Sequence, residues 1–146
     1  MSLLRFLDIV YPGQPVFLKP GWIQGNFVRH LHMAGIVSYL AQKTQLQSIR
    51  ILEIGSWMGS SCLTWSEAIR RFFNGHGEIV CVDPLLPYFD EENSKAARRD
   101  IPDNFAKFQI DQVVEMANLL RDDCVYDILM HNVRTIEPPT TVNVIR

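Results

Sequence analysis

RILEIGSWMGSS, residues 50–61, decides the fold of this chain. Ile51, Leu52 and Ile54 are strand formers in a short apolar run, and Glu53 stands among them at the strand's carboxyl end. Gly55 and Gly59 then flank Ser56, Trp57 and Met58, so the backbone can turn sharply and approach a ligand with no Cβ in the way. Ser60 or Ser61 is expected to cap a helix whose first N–H groups point back at the turn. Strand, glycine turn and helix in this order make the layout of a nucleotide cradle.

The second half of that layout is GEIVCVDP, residues 77–84. Residues 79–82 predict another apolar strand, and the interval before them holds one helix, as a βαβ unit requires. The strand ends in Asp83. An acidic residue closing the second strand of such a unit accepts hydrogen bonds from both ribose hydroxyls of a nucleoside-bearing cofactor, because one carboxylate offers two oxygens. Asp83 is therefore the foremost candidate binding residue.

E-x-G-x-x-x-G-x-S over residues 53–61, followed by V-D-P at 82–84, resembles the first two motifs of class I S-adenosylmethionine-dependent methyltransferases. IGSWMGSS and CVDPLLPYFD look most like the group containing macrolide and sugar O-methyltransferases and the cephalosporin hydroxylase-like proteins. The catechol O-methyltransferase-like group shares the bulky residue in the glycine loop. The resemblance extends over residues 20–146. It implies an α/β, Rossmann-like three-layer sandwich with S-adenosylmethionine as cofactor and a hydroxyl of a small molecule or sugar as methyl acceptor. It also implies a cofactor site made of Glu53, Gly55, Ser56, Trp57, Gly59, Ser61, Asp83 and Pro84.

The same resemblance implies a strand order of 3-2-1-4-5-7-6, of which this sequence supplies strands 3, 2 and 1. The chain is thus expected to be truncated after the third strand and inactive by itself. The unpaired edge of its first strand is expected to drive self-association. In the family, adenine is recognised after the third strand, and a divalent metal or the acceptor hydroxyl is held after the fourth. No catalytic residue can be named here, and a metal is expected only in the complete protein.

Two rival readings use the same residues. Strand–turn–helix units with two glycines also occur in α/β binding or assembly modules that carry no cofactor. A nicotinamide-dependent oxidoreductase would need G-x-G-x-x-G, but Trp57 occupies the position where the second glycine lets a pyrophosphate approach. A methionine tail tolerates that side chain.

The length of 146 residues suits one domain at most, divided as an extended entry segment at 1–25 and a partial cofactor-binding domain at 26–146. With 47% hydrophobic and 21% charged residues the composition is that of a soluble globular chain, and a net charge of −2 offers no electrostatic case for nucleic acid. Cys62, Cys81 and Cys124 are odd in number and lack C-x-x-C spacing, so they read as small core residues in a reducing cytoplasm. The opening MSLLRFLDIVYPG is interrupted by Arg5 and Asp8, and is neither a signal peptide nor a membrane span.

Asn26 is expected to cap a helix running to Lys43, with Phe27, Leu31, Ala34, Val37 and Ala41 on one face. Residues 61–73 predict a helix that buries Cys62, Trp65, Ile69, Phe72 and Phe73 and turns Glu67, Arg70 and Arg71 to solvent; Asn74, Gly75 and Gly77 stop it. Pro84, Pro87 and Pro102 prevent a continuous helix over residues 84–103, where a lid could sit. Helices are expected at 110–120 and at 125–133, the latter capped by Asp122 or Asp123, before a third strand at 142–145. His30 and His32 are two apart on a helix, hence on different faces, and make poor co-ligands for a metal.

Overall fold

The computed structural model describes residues 27–85, 118 and 123–146. The chain divides into two compact units, Met1–Pro84 with Ile128–Arg146, and Leu85–Asp127. In the first unit three strands, β1 (Ile49–Ile54), β2 (Gly77–Val82) and β3 (Thr141–Ile145), form one parallel sheet in the order β1-β2-β3. The fold class is α/β, as the sequence predicts. Parallel neighbours cannot be joined by a tight turn, and helix α2 (Ser60–Phe72) supplies the crossover from β1 to β2. Helix α1 (Phe27–Lys43) precedes the sheet, and helix α3 (Cys124–Arg134) comes before β3 and crosses the boundary between the units.

The register decides which side chains meet. Ile51 pairs with Ile79 and Ile79 with Val142, while Glu53 pairs with Cys81 and Cys81 with Val144. Because side chains alternate across a strand, this row shares one face of the sheet. There Ile49, Ile79 and Cys81 pack with Cys62, Ala68, Ile69 and Phe73 from α2 and its end, and with Ala34 and Val37 of α1. The helical period of α1 and α2 thus delivers the apolar stripe the sequence shows. On the other face Leu52 and Ile54 are 64% and 80% exposed.

Helix α2 departs from expectation at both ends and along one side. Neither Ser60 nor Ser61 caps it: the N-cap is Gly59, with φ at 88° and no side-chain hydrogen bond to the first turn. The left-handed backbone there reverses the chain, so the serines fall inside the helix. At the other end the N–H groups of Phe73 and Gly75 both donate to the Ile69 carbonyl, whereas Gly77 already belongs to β2. Glu67, expected in solvent, is 1% exposed. Its carboxylate takes two hydrogen bonds from Arg70, each of 2.7 Å, and a third from Arg71. The reason is tertiary: Ile136, Glu137 and Thr140, on the approach to β3, line a pocket with Ser66, Glu67 and Arg70 and take that side of α2 out of water.

Val125 and Leu129 of α3 are fully buried, and the Asp127 N–H donates to the Asp123 carbonyl in its first turn. Among the described residues no helix is long and apolar enough to cross a membrane. The entry segment, the Asn26 and Asp122 caps, the helix expected at 110–120 and residues 86–103 lie outside the described residues, apart from Asn118, which is helical.

Candidate functional site

The glycine loop is pinned from three sides. Gly55 extends the ladder past β1 by donating to the Val82 carbonyl at 2.9 Å, and the Gly59 N–H closes the turn onto the Ser56 carbonyl at 2.8 Å. From α3, the Asn132 side-chain amide donates to the Met58 carbonyl at 2.7 Å, and Met58 itself is fully buried. The third support is Asp83: its Oδ2 accepts the backbone N–H of Trp57 at 2.8 Å. Trp57 has φ at 49°, a left-handed conformation that costs a non-glycine residue roughly 1–2 kcal/mol and persists only where neighbours hold it. One oxygen of the residue foreseen as a ribose ligand therefore also holds the loop.

Over the loop lies a pocket lined by Arg29, Gly55, Ser56, Trp57, Ser60 and Ser61, with about 210 Å³ of empty space including its open mouth. Its chemistry favours an anion. The first intrahelical bond of α2 runs from Leu63 to the Gly59 carbonyl, so the N–H groups ahead of it have no partner within the helix and carry the positive end of its dipole. Arg29 adds a guanidinium. The Oγ atoms of Ser56 and Ser60 are buried and have no hydrogen-bond partner among the described residues.

Of the residues the sequence singles out, Gly55, Ser56, Trp57 and Ser61 line this pocket. Gly59 shapes it as the helix N-cap, and Asp83 braces it from β2. Pro84 is exposed and contributes no lining. Glu53 lies one layer below, 7% exposed, with the Cys81 thiol donating to its Oε2 at 3.5 Å. Burial pushes its pKa up, and the Cys81 thiol, the Ser56 hydroxyl, Arg29 and the Ser61 hydroxyl offset part of that. These hydroxyls approach the carboxylate without completing a hydrogen bond to Oε1, which has no partner.

Sequence reasoning missed Arg29 and Ser60. Ser60 was readable as a pocket residue once it stands inside the first turn rather than at the cap. Arg29 carries no local signal, since it reaches the loop only because α1 packs on α2. His30, beside it, is buried with Nδ1 2.6 Å from the Thr64 hydroxyl, while that hydroxyl donates to the Ser60 carbonyl at 3.2 Å. A hydroxyl has one proton to give, so Nδ1 carries the hydrogen and the ring anchors α1 to α2. Burial first, and the Arg29 charge second, lower the His30 pKa. His32 is exposed.

No protein-family model, no curated protein and no solved structure matches the chain.

Proposed function

We propose that the loop and the first turn of α2 bind the methionyl end of S-adenosylmethionine, within a Rossmann-like, class I methyltransferase fold that serves a hydroxyl of a small molecule or sugar in the cytoplasm. The observation that carries this reading is the anion-attracting pocket of Arg29, Ser56, Ser60 and Ser61 at an uncapped helix N-terminus. Its charge suits a carboxylate. The parallel order β1-β2-β3 also supports it, being the order that the E-x-G-x-x-x-G-x-S and V-D-P motifs imply.

In this reading Arg29 and the α2 N–H groups hold the carboxylate, the Ser56 and Ser60 hydroxyls complete its shell, and Asp83 fixes the loop while presenting its carboxylate toward a ribose. Bound there, the cofactor would supply an electrophilic methyl carbon for the acceptor oxygen, with the thioether as leaving group and the hydroxyl proton released to solvent. The protein contributes chiefly position, and position alone can supply several kcal/mol of the barrier, on the order of 7 for a well-oriented pair. A dinucleotide fits less well, because Trp57 fills the place a pyrophosphate would need.

Thermal denaturation with S-adenosylhomocysteine and with NAD tests the assignment. The first should raise the midpoint and the second should not. Arg29→Ala should weaken S-adenosylhomocysteine about tenfold to a hundredfold, the worth of one charge-assisted hydrogen bond of roughly 1.5–3 kcal/mol. A folded protein that responds to neither ligand would be a non-enzymatic α/β module.

A further inference from the structure

We propose that Glu53, Cys62 and Cys81 form a binding site for a thiophilic d10 cation, Zn²⁺ foremost, beneath the glycine loop. The three residues come from three elements: Glu53 from β1, Cys62 from the first turn of α2 and Cys81 from β2. The parallel register sets Glu53 directly beside Cys81 on the face that α2 covers. All three are buried, the thiols completely. Their ligand atoms all lie within 4.8 Å of one another.

The spacing suits a metal. On a tetrahedral zinc with bonds of about 2.3 Å to sulfur and about 2.0 Å to oxygen, a sulfur and an oxygen stand roughly 3.5 Å apart, and two sulfurs roughly 3.8 Å. Cys81 Sγ and Glu53 Oε2 are 3.5 Å apart, so that edge of the polyhedron is already in place. A second observation points the same way: Glu53 Oε1 is buried with no hydrogen-bond partner among the described residues. A desolvated carboxylate oxygen left unmet is unfavourable, and a cation on the carboxylate removes that penalty.

Ligand type selects the metal. Two thiolates exclude Mg²⁺ and Ca²⁺, which take oxygen shells, while a carboxylate beside them suits borderline Zn²⁺ better than Cu⁺, for which sulfur alone suffices. Binding replaces both thiol protons with zinc–sulfur bonds, releasing two protons and leaving a site of net charge −1. The fourth position therefore takes a neutral oxygen, such as water. Such a cation would tie β1, β2 and the start of α2 together below the loop. Glu53 does not line the pocket above, so this inference stands independently of the proposed cofactor.

Titration of the reduced protein with Co²⁺ tests it. Thiolate-to-cobalt charge-transfer absorption should appear at one equivalent and vanish on adding Zn²⁺, and calorimetry in buffers of different ionisation heat should count two protons released per zinc. Glu53→Gln, which keeps the side chain's shape, should weaken Zn²⁺ by about tenfold or more, since even outer-shell partners of a metal are worth that much. Cys62→Ala and Cys81→Ala should abolish the band, with circular dichroism confirming the fold; should either fail to fold, Glu53→Gln and the proton count decide. A folded wild-type protein without the band overturns the site. So does a band that survives the substitutions, which would belong to Cys124.

Discussion

Glu67 is a charged residue that tertiary packing has drawn into the interior, and its two arginines decide whether that helps the fold. Burial raises the carboxyl pKa, but the hydrogen bonds from Arg70 and Arg71, followed by their charges, outweigh it and leave the group below its ordinary value of 4.5. A carboxyl depressed in the fold contributes stability that is complete above the ordinary value and is lost as pH falls through the folded one. Glu67→Gln should therefore lower the unfolding free energy by about 1–3 kcal/mol at neutral pH, less than for a fully enclosed pair, because Arg70 is half exposed and rehydrates. The gap between wild type and variant in urea midpoints should narrow as pH falls below 4.5; a constant gap would mean that packing, not charge, is what the substitution removes. His30 is a base held below 6.5, so its contribution is complete above that pH and declines as pH falls from there through the folded value. An imidazole titration by NMR should give a midpoint under 6.5, and one above it would contradict the buried, Thr64-bonded ring. The sequence shows that both residues sit on helices; it does not show that Ile136, Glu137 and Thr140 return to cover Glu67, because that contact joins distant parts of the chain.

At the scale of elements, glycines carry most of what was legible, though not always in the role expected. The apolar runs place β1 and β2 and the helical stripes place α1 and α2, each nearly to its end, because period and punctuation are local properties of the chain. The start of α2 differs from expectation because a serine side chain usually caps, whereas here Gly59 stands at the N-cap position and no side chain bonds the first turn. Gly75 looks like a helix stop and is more. Its φ is 82°, a Cβ there would sit 2.8 Å from Pro139 Cδ, and its carbonyl accepts the Thr140 hydroxyl at 2.8 Å. Gly55, at 83°, has nothing within 4 Å of its Cβ position. Both alanine variants carry the left-handed penalty of roughly 1–2 kcal/mol, and Gly75→Ala adds a clash. Gly75→Ala should thus cost more stability, while Gly55→Val, which sets a branched side chain into the pocket, should cost more affinity for S-adenosylhomocysteine. Equal losses of stability for Gly55→Ala and Gly75→Ala would show that the Pro139 segment yields freely.

Over the whole molecule, the sheet's two faces are unequal, and that asymmetry was only half visible beforehand. An apolar run such as residues 51–54 reads as a strand covered on both sides, as parallel strands usually are. The face bearing Glu53, Ile79 and Cys81 fits that reading. The other does not: the register sets Ile54 beside Val82 and Val82 beside Ile145 in one row, with Ile54 80% and Ile145 52% exposed and Leu52 64% exposed a step back along β1. Among the described residues β1 also has one strand partner, β2, leaving its outer edge unpaired. An apolar row beside an open edge favours association. The protein should therefore show a mass that rises with concentration in sedimentation velocity. Ile54→Lys places a charge in the middle of the row where the side chain already meets water, so it should suppress that rise while shifting the thermal midpoint little, surface substitutions usually staying within about 0.5 kcal/mol. A wild-type chain that stays monomeric at every concentration would remove the motive for association. A lysine variant that unfolds would show instead that the row is covered and that Ile54 belongs to the core.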